Sequence, residues 1–212
     1  MTTKVLGKNT SYNSPQGLKI LDKIERNQSG VKYGVDIWNI YDFLFRDKNN
    51  LPKLKVLEIS IPSTSKYIVE SKSMKLYLNE FYNMSFNKDS LLAARIKKDL
   101  EKIINSDIKV RFINNFDQEP SHLVINNTTL VKSKSDSLLK FNGFRSICPV
   151  TSQPDFANIY IYSDKQLSIN WLRKYLMSYQ DQGDFHEQCI EAIYRDIYLS
   201  LIHISEPTRP SS

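Results

Sequence analysis

The sequence predicts an α+β chain made of two weakly similar units, each an antiparallel sheet with two helices. Three observations lead there. Segments with period-two apolar alternation are separated by segments whose apolar residues recur at helical spacing. The order strand, strand, helix, helix, strand, strand runs once in full and starts again after the polar stretch Lys132 to Asp136. With 212 residues, 41% hydrophobic and 25% charged, the chain can bury a sizeable core, and no apolar run approaches a membrane span.

Residues 1–34 are polar, with Gly, Asn, Pro and Ser scattered through them, and are expected to form a loosely packed arm. A hairpin follows, with Asp36 to Phe45 aromatic and β-branched, turn chemistry at Asn49-Asn50, and Leu57, Ile59 and Ile61 alternating with polar neighbours. The first helix carries Met74, Leu78 and Phe81 on one face, with Lys72, Lys75 and Asn79 opposite. The second carries Leu92, Ile96, Leu100 and Ile103. A strand alternating Ile108, Val110 and Phe112 and another through His122 to Ile125 complete a first unit over 35–131.

The second unit, 132–199, repeats the order. Ser137 to Ile147 reads as a strand, and Phe156 to Tyr162 as its partner, Ile159 and Ile161 facing one way and Tyr160 and Tyr162 the other. One helix presents Ile169, Leu172, Leu176 and Tyr179. The next presents His186, Ile190, Ile193 and Ile197. No closing strand pair follows. Residues 200–212, with Pro207 and Pro210, read as a non-native tail resembling a translated sequencing adapter. Disorder is expected from about Ser200 onward, with an unpaired sheet edge and a loss of cofactor contacts.

The amino terminus lacks the apolar stretch of a secretion signal, which points to the cytoplasm. The net charge of +6 suits an anionic partner such as a nucleotide phosphate. Its lysines and arginines are spread out, however, and the run at Arg95, Lys97 and Lys98 is broken by Asp99 and Glu101, so no direct nucleic-acid partner is expected. Neither is a membrane. The two cysteines, Cys148 and Cys189, are each either a buried or a reactive thiol, and with three unpaired histidines they do not suggest zinc.

The densest chemical signal is the stretch Ser146, Ile147, Cys148, Pro149, Val150, Thr151, Ser152, Gln153, Pro154, Asp155, Phe156. It puts a cysteine at the end of one strand and a carboxylate at the start of the next, across a turn stiffened by two prolines. A thiol held rigidly beside an acid suits nucleophilic addition to an unsaturated carbon. A small buried hydrophobe beside a solvated turn Asp would give the same spacing.

Cys148 to Phe156 resembles the nucleophile loop of the 7-cyano-7-deazaguanine reductases. Glu70 to Tyr77 (Glu-Ser-Lys-Ser-Met-Lys-Leu-Tyr) resembles that family's cofactor signature, and Phe185, His186 and Glu187 resemble its substrate-binding element. The three motifs stand in the order of the family's long, two-unit branch. The resemblance implies tandem tunnelling-fold units, the second lacking its last strands, and reduction of 7-cyano-7-deazaguanine to 7-aminomethyl-7-deazaguanine with NADPH, in tRNA queuosine biosynthesis. It makes Cys148 the nucleophile of a thioimide and Asp155 the proton donor. Val69, Glu70, Ser71, Phe185, His186 and Glu187 become substrate contacts, and Ser71 and Lys72 contacts to NADPH, where a helix start also favours phosphate. No metal is implied, and a homo-oligomer, a homodimer, is. Two other readings share the residues: a tunnelling-fold purine-binding module without turnover, and a cysteine-dependent nitrile hydrolase. A reversible Cys148–Cys189 disulfide is a further expectation, against a plain buried helix cysteine.

Overall fold

The computed structural model describes residues 16–26, 33–126, 129 and 131–204, with only the backbone at 202–204. The chain divides into two units, 1–117 and 118–212.

In the first unit the long strands β2 (Val35–Arg46) and β3 (Pro52–Pro62) pair antiparallel, and β5 (Lys109–Ile113) pairs with the far edge of β3. Their turn is built from side chain and backbone together. Asp47 Oδ1 accepts from the amides of Asn49 (2.8 Å) and Leu51 (3.0 Å), and Asn50 takes the left-handed conformation that Asn tolerates. The pairing register shifts between Ile40 and Phe43. Helices α1 (Ser71–Asn79) and α2 (Asp89–Ile104) supply the apolar residues that cover one face of the sheet. Leu57, Ile59 and Ile61 are buried in one core with Leu92, Ile96, Leu100 and Ile104. The stripe on α2 therefore ends at Ile104, with Ile103 only partly buried. Asn105, left-handed at φ 57°, stops the helix.

The segment expected to be a loose arm contributes to the core between Ile20 and Ile24. Ile20, Leu21 and Ile24 are buried, and the short strand β1 (Lys23–Glu25) pairs antiparallel with β4 (Tyr67–Val69). The Glu80 carboxylate accepts from the amides of Gln16 (2.6 Å) and Gly17 (2.8 Å), which fixes the start of the segment. Three apolar residues in five positions are too few to show a period, so the sequence gives no sign of this packing. Residues 1–15 and 27–32 lie outside the described residues.

A buried ion pair follows β1. Arg26 is 7% exposed, pairs with Asp36 at the start of β2, and donates from Nε to Ser65 Oγ at 3.2 Å. Arg26→Met should destabilise the protein by roughly 3 kcal/mol, because Asp36 would keep a half-buried charge without its partner. Adding Asp36→Asn should recover part of the loss in a urea titration. An unchanged midpoint in the single variant would contradict this account.

The second unit has the same opening. Strands β7 (Ser137–Ile147) and β8 (Pro154–Ser163) pair antiparallel, with a register shift between Phe141 and Phe144 that parallels the one in β2. Strand β6 (Leu123–Val124), expected to close the first unit, instead pairs parallel with β7 at Leu139 and Lys140. Helices α3 (Ile169–Met177) and α4 (His186–Ile204) follow, and among the described residues no strand comes after α4. Helix α4 runs through Ser200 to Ile204, so the segment expected to be disordered from Ser200 is helical at its start; 205–212 lie outside the described residues.

The inward stripe of α4 keeps the expected Ile193 and Ile197 but takes Cys189 in place of His186 and Ile190. Cys189, Ile193 and Ile197 pack in the core with Ile169, Leu172 and Leu176 of α3, whereas Ile190 is 43% exposed and His186 is also exposed. Tyr175 Oη donates to Asp196 Oδ2 at 2.7 Å, which ties α3 to α4. No helix among the described residues is long and apolar enough to cross a membrane.

Candidate active site

In the second unit the chemistry-bearing residues gather at one end of the β7–β8 hairpin. Asp155 pairs with Ser146 in the strand register. Along β8, Asp155, Ala157, Ile159 and Ile161 turn toward the helices while Phe156, Asn158, Tyr160 and Tyr162 turn away. Asp155 thus stands at the rim of the core rather than on the open face of the sheet.

Beyond Ile147 the chain folds into a tight loop. The Cys148 amide donates to the Gln153 carbonyl at 2.8 Å, and the Ser152 amide donates back to the Cys148 carbonyl at 3.0 Å, with Ser152 left-handed at φ 57°. Two backbone bonds and two flanking prolines therefore fix Cys148, which is a free, half-buried thiol.

Helix α4 delivers its first turn to the same end. His186 Nε2 lies 3.9 Å from Asp155 Oδ2, with both side chains about half exposed. Phe185, just before the helix, donates its amide to Asp184 Oδ1 at 2.9 Å. Burial raises the Asp184 carboxyl above the usual range, against that hydrogen bond. Below the first turn, burial and then the carboxylate of Asp184 push the Cys189 thiol up to about 11; the Ser146 hydroxyl pulls it down, and Glu187 and Asp155 add to the rise. Cys189 is a protonated thiol at neutral pH, a poor nucleophile. Both cysteines are free thiols, so the expected disulfide is not formed here. Ser146 is fully buried, and its Oγ has no conventional hydrogen bond among the described residues.

The expected residues of the first unit sit where β4 enters α1. Val69 is buried in the first core and pairs with Lys23. Glu70, 1% exposed, caps α1, its carboxylate accepting from the amides of Lys72 (2.7 Å) and Ser73 (2.8 Å). The expectation that free helix-start amides receive phosphate is therefore corrected: two of them already hold a carboxylate, which also repels an anion. Ser71 is exposed, with its hydroxyl 3.5 Å from Glu70 Oε1, and Lys72 is partly exposed. A hydroxyl and an ammonium fit the phosphate of a dinucleotide, so this donor set fits NADPH through side chains.

Two residues at the Cys148 end of the second unit's hairpin were not singled out from the sequence. Asp184 carried a signal, an Asp two positions before a helix. Arg145 carried none, because a lone Arg in a strand usually faces solvent.

A fixed thiol, a carboxylate and an imidazole thus stand at the same strand end of an α+β frame. A family model described as "Nitrile reductase, 7-cyano-7-deazaguanine-reductase N-term" matches residues 11–112, and one described as "QueF-like protein" matches 154–205. A protein of Acinetobacter baylyi named NADPH-dependent 7-cyano-7-deazaguanine reductase is 30% identical, over 93% of this chain and 83% of its own length. Proteins of the same name from Buchnera aphidicola (34%, over 82% of this chain and 76% of the relative) and Rickettsia bellii (33%, over 93% and 83%) are similar to it as well. The chain belongs to the 7-cyano-7-deazaguanine reductase family.

Proposed function

We propose that this chain reduces the nitrile of 7-cyano-7-deazaguanine to the aminomethyl group with NADPH, in queuosine biosynthesis, through a thioimide on Cys148. The observation that carries the reading is the convergence of the Cys148 loop and the Asp155–His186 pair on one strand end in a member of this family. NADPH, when bound, supplies the hydrides, and Ser71 and Lys72 are the residues proposed, from the family resemblance, to hold its phosphate. Two tunnelling-fold units in a cytoplasmic homodimer are part of the same proposal; the paired register shifts in β2 and β7 support a repeated unit.

The residues divide the work as follows. The Cys148 sulfur forms a bond to the nitrile carbon, and one C–N π bond opens onto nitrogen. Asp155 gives that nitrogen its proton, because an uncharged thioimide accepts hydride far better than a nitrile. The C–S bond breaks after the first reduction and returns the thiolate to Cys148. Reduction to the amine consumes two hydrides and two protons in all. His186 needs to move only about 1 Å toward Asp155 to hydrogen bond with it and restore its proton. Glu187, with two acceptor oxygens, pairs with the adjacent N–H donors of the purine-like ring, and Phe185 covers the ring face. The family resemblance alone proposes Val69, Glu70 and Ser71 as further substrate contacts; Val69 is 2% and Glu70 1% exposed, and the Glu70 carboxylate caps α1.

The test is absorbance at 340 nm with enzyme, 7-cyano-7-deazaguanine and NADPH. The expected result is nitrile-dependent loss of two NADPH per amine formed. Nitrile consumption with ammonia release and no NADPH loss would mean hydrolysis, and nitrile binding without turnover would mean a binding module.

A further inference from the structure

The end of β7 holds the loop that leads into α4 as firmly as it holds β8. The Ile147 amide donates to the Gln182 carbonyl at 2.9 Å, and the Asp184 amide donates to the Ile147 carbonyl at 3.1 Å. Ile147 and Gly183 thus form a parallel bridge one residue before Cys148. A β-carbon on Gly183 would stand 3.7 Å from both the Ile147 carbonyl oxygen and Pro149 Cα, so the loop lies directly on the nucleophile turn. Two residues earlier, Arg145 reaches across: its Nη1 donates to the Gln180 carbonyl and, at 3.2 Å, to Asp181 Oδ1.

We infer that Arg145 is a positioning residue, a latch that sets the spacing between Cys148 and the substrate-holding start of α4. Two backbone bonds at a single residue form a hinge, because the loop can still swing about Ile147. The guanidinium adds a third point, two residues away along β7, and three points fix an orientation. The planar guanidinium suits a carbonyl and a carboxylate side by side. Through this latch the frame that fixes Cys148 also aims Phe185, His186 and Glu187. The segment's other backbone bonds, from the Gln180 amide to the Met177 carbonyl (3.2 Å) and from the Gln182 amide to the Tyr179 carbonyl (3.0 Å), tie it to the end of α3 and not to β7. Asp181 is almost fully exposed, so its ion pair with Arg145 is weak in water and the Gln180 carbonyl is the main acceptor of the latch.

The inference rests on Cys148 as nucleophile and on the first turn of α4 as substrate contact. The test is Arg145→Met on the full chain, read by intact-protein mass in two reactions. With 7-cyano-7-deazaguanine the second-order rate of adduct formation should fall about 10- to 100-fold, the scale of a misplaced reacting group. With iodoacetamide, which needs only the Cys148 thiol, the rate should stay within about twofold of wild type. The KM for NADPH should be unchanged, and Arg145→Lys, able to reach one acceptor, should recover part of the adduct rate. Equal falls in both reactions would mean that Arg145 merely supports the Cys148 loop, and an unchanged adduct rate would mean that the loop needs no latch; either overturns the inference. If wild type itself forms no adduct, the parent reading fails instead.

Discussion

Replacing Cys148 with alanine should abolish both the covalent adduct and NADPH-dependent reduction. Wild type mixed with the nitrile in the absence of NADPH should gain the mass of one substrate molecule, and NADPH should discharge it. Cys148→Ala should gain nothing. Cys189→Ala should still gain one substrate mass, because Cys189 has neither the charge state nor the access to attack. Burial pushes its thiol up to about 11, so less than a thousandth is thiolate at neutral pH, and its side chain is 2% exposed in the second core. Cys148 has the access that Cys189 lacks: it leaves the sheet in a turn pinned by Gln153 and Ser152 and is half-buried. A substrate-sized gain that persists in Cys148→Ala would move the nucleophile elsewhere and overturn the proposed chemistry.

The contrast between the two cysteines shows what the sequence can carry. Two strands separated by a turn with prolines at both ends were legible, because alternation and turn chemistry are local properties. So were both long hairpins and all four helices. The face that a helix buries was less legible. On α4 the spacing of His186, Ile190, Ile193 and Ile197 looks like a stripe, yet the helix buries Cys189, Ile193 and Ile197 and leaves Ile190 in solvent. The second apolar row, with Tyr194 and Tyr198 stacked on each other, makes the helix ambiguous, and tertiary packing decides. Strand β6 failed for a related reason. Two residues carry no preference for a partner, and the choice between closing the first sheet and joining β7 rests on contacts distant in sequence. The sequence also could not show that Glu70 uses its carboxylate to cap α1, since an acid before a helix reads equally as a ligand contact.

Asp155→Asn should lower turnover by about 10² to 10⁴-fold at saturating nitrile and NADPH, the usual worth of a positioned general acid. The substitution keeps the shape of the side chain and the Ser146 pairing, so the rim of the hairpin should hold and the KM for NADPH should change little. What it removes is a transferable proton at an oxygen fixed by β8. The neighbouring imidazole is the natural competitor for that role, at 3.9 Å from the carboxylate. Its position argues against it as the primary acid. Exposure does not separate the two, at 42% for His186 and 45% for Asp155, but His186 stands on a helix turn outside the Cys189, Ile193 and Ile197 stripe. Asp155 instead belongs to β8, paired with the strand that ends at Ile147, one residue before Cys148, so one hairpin carries both carboxylate and sulfur. His186→Gln should therefore cost only about tenfold, the smaller loss expected when a group restores the acid rather than acting as it. The order of the two losses decides between them, read as kcat from NADPH consumption. Near-full turnover in Asp155→Asn with collapse in His186→Gln would make the histidine the acid and the aspartate its orienting partner.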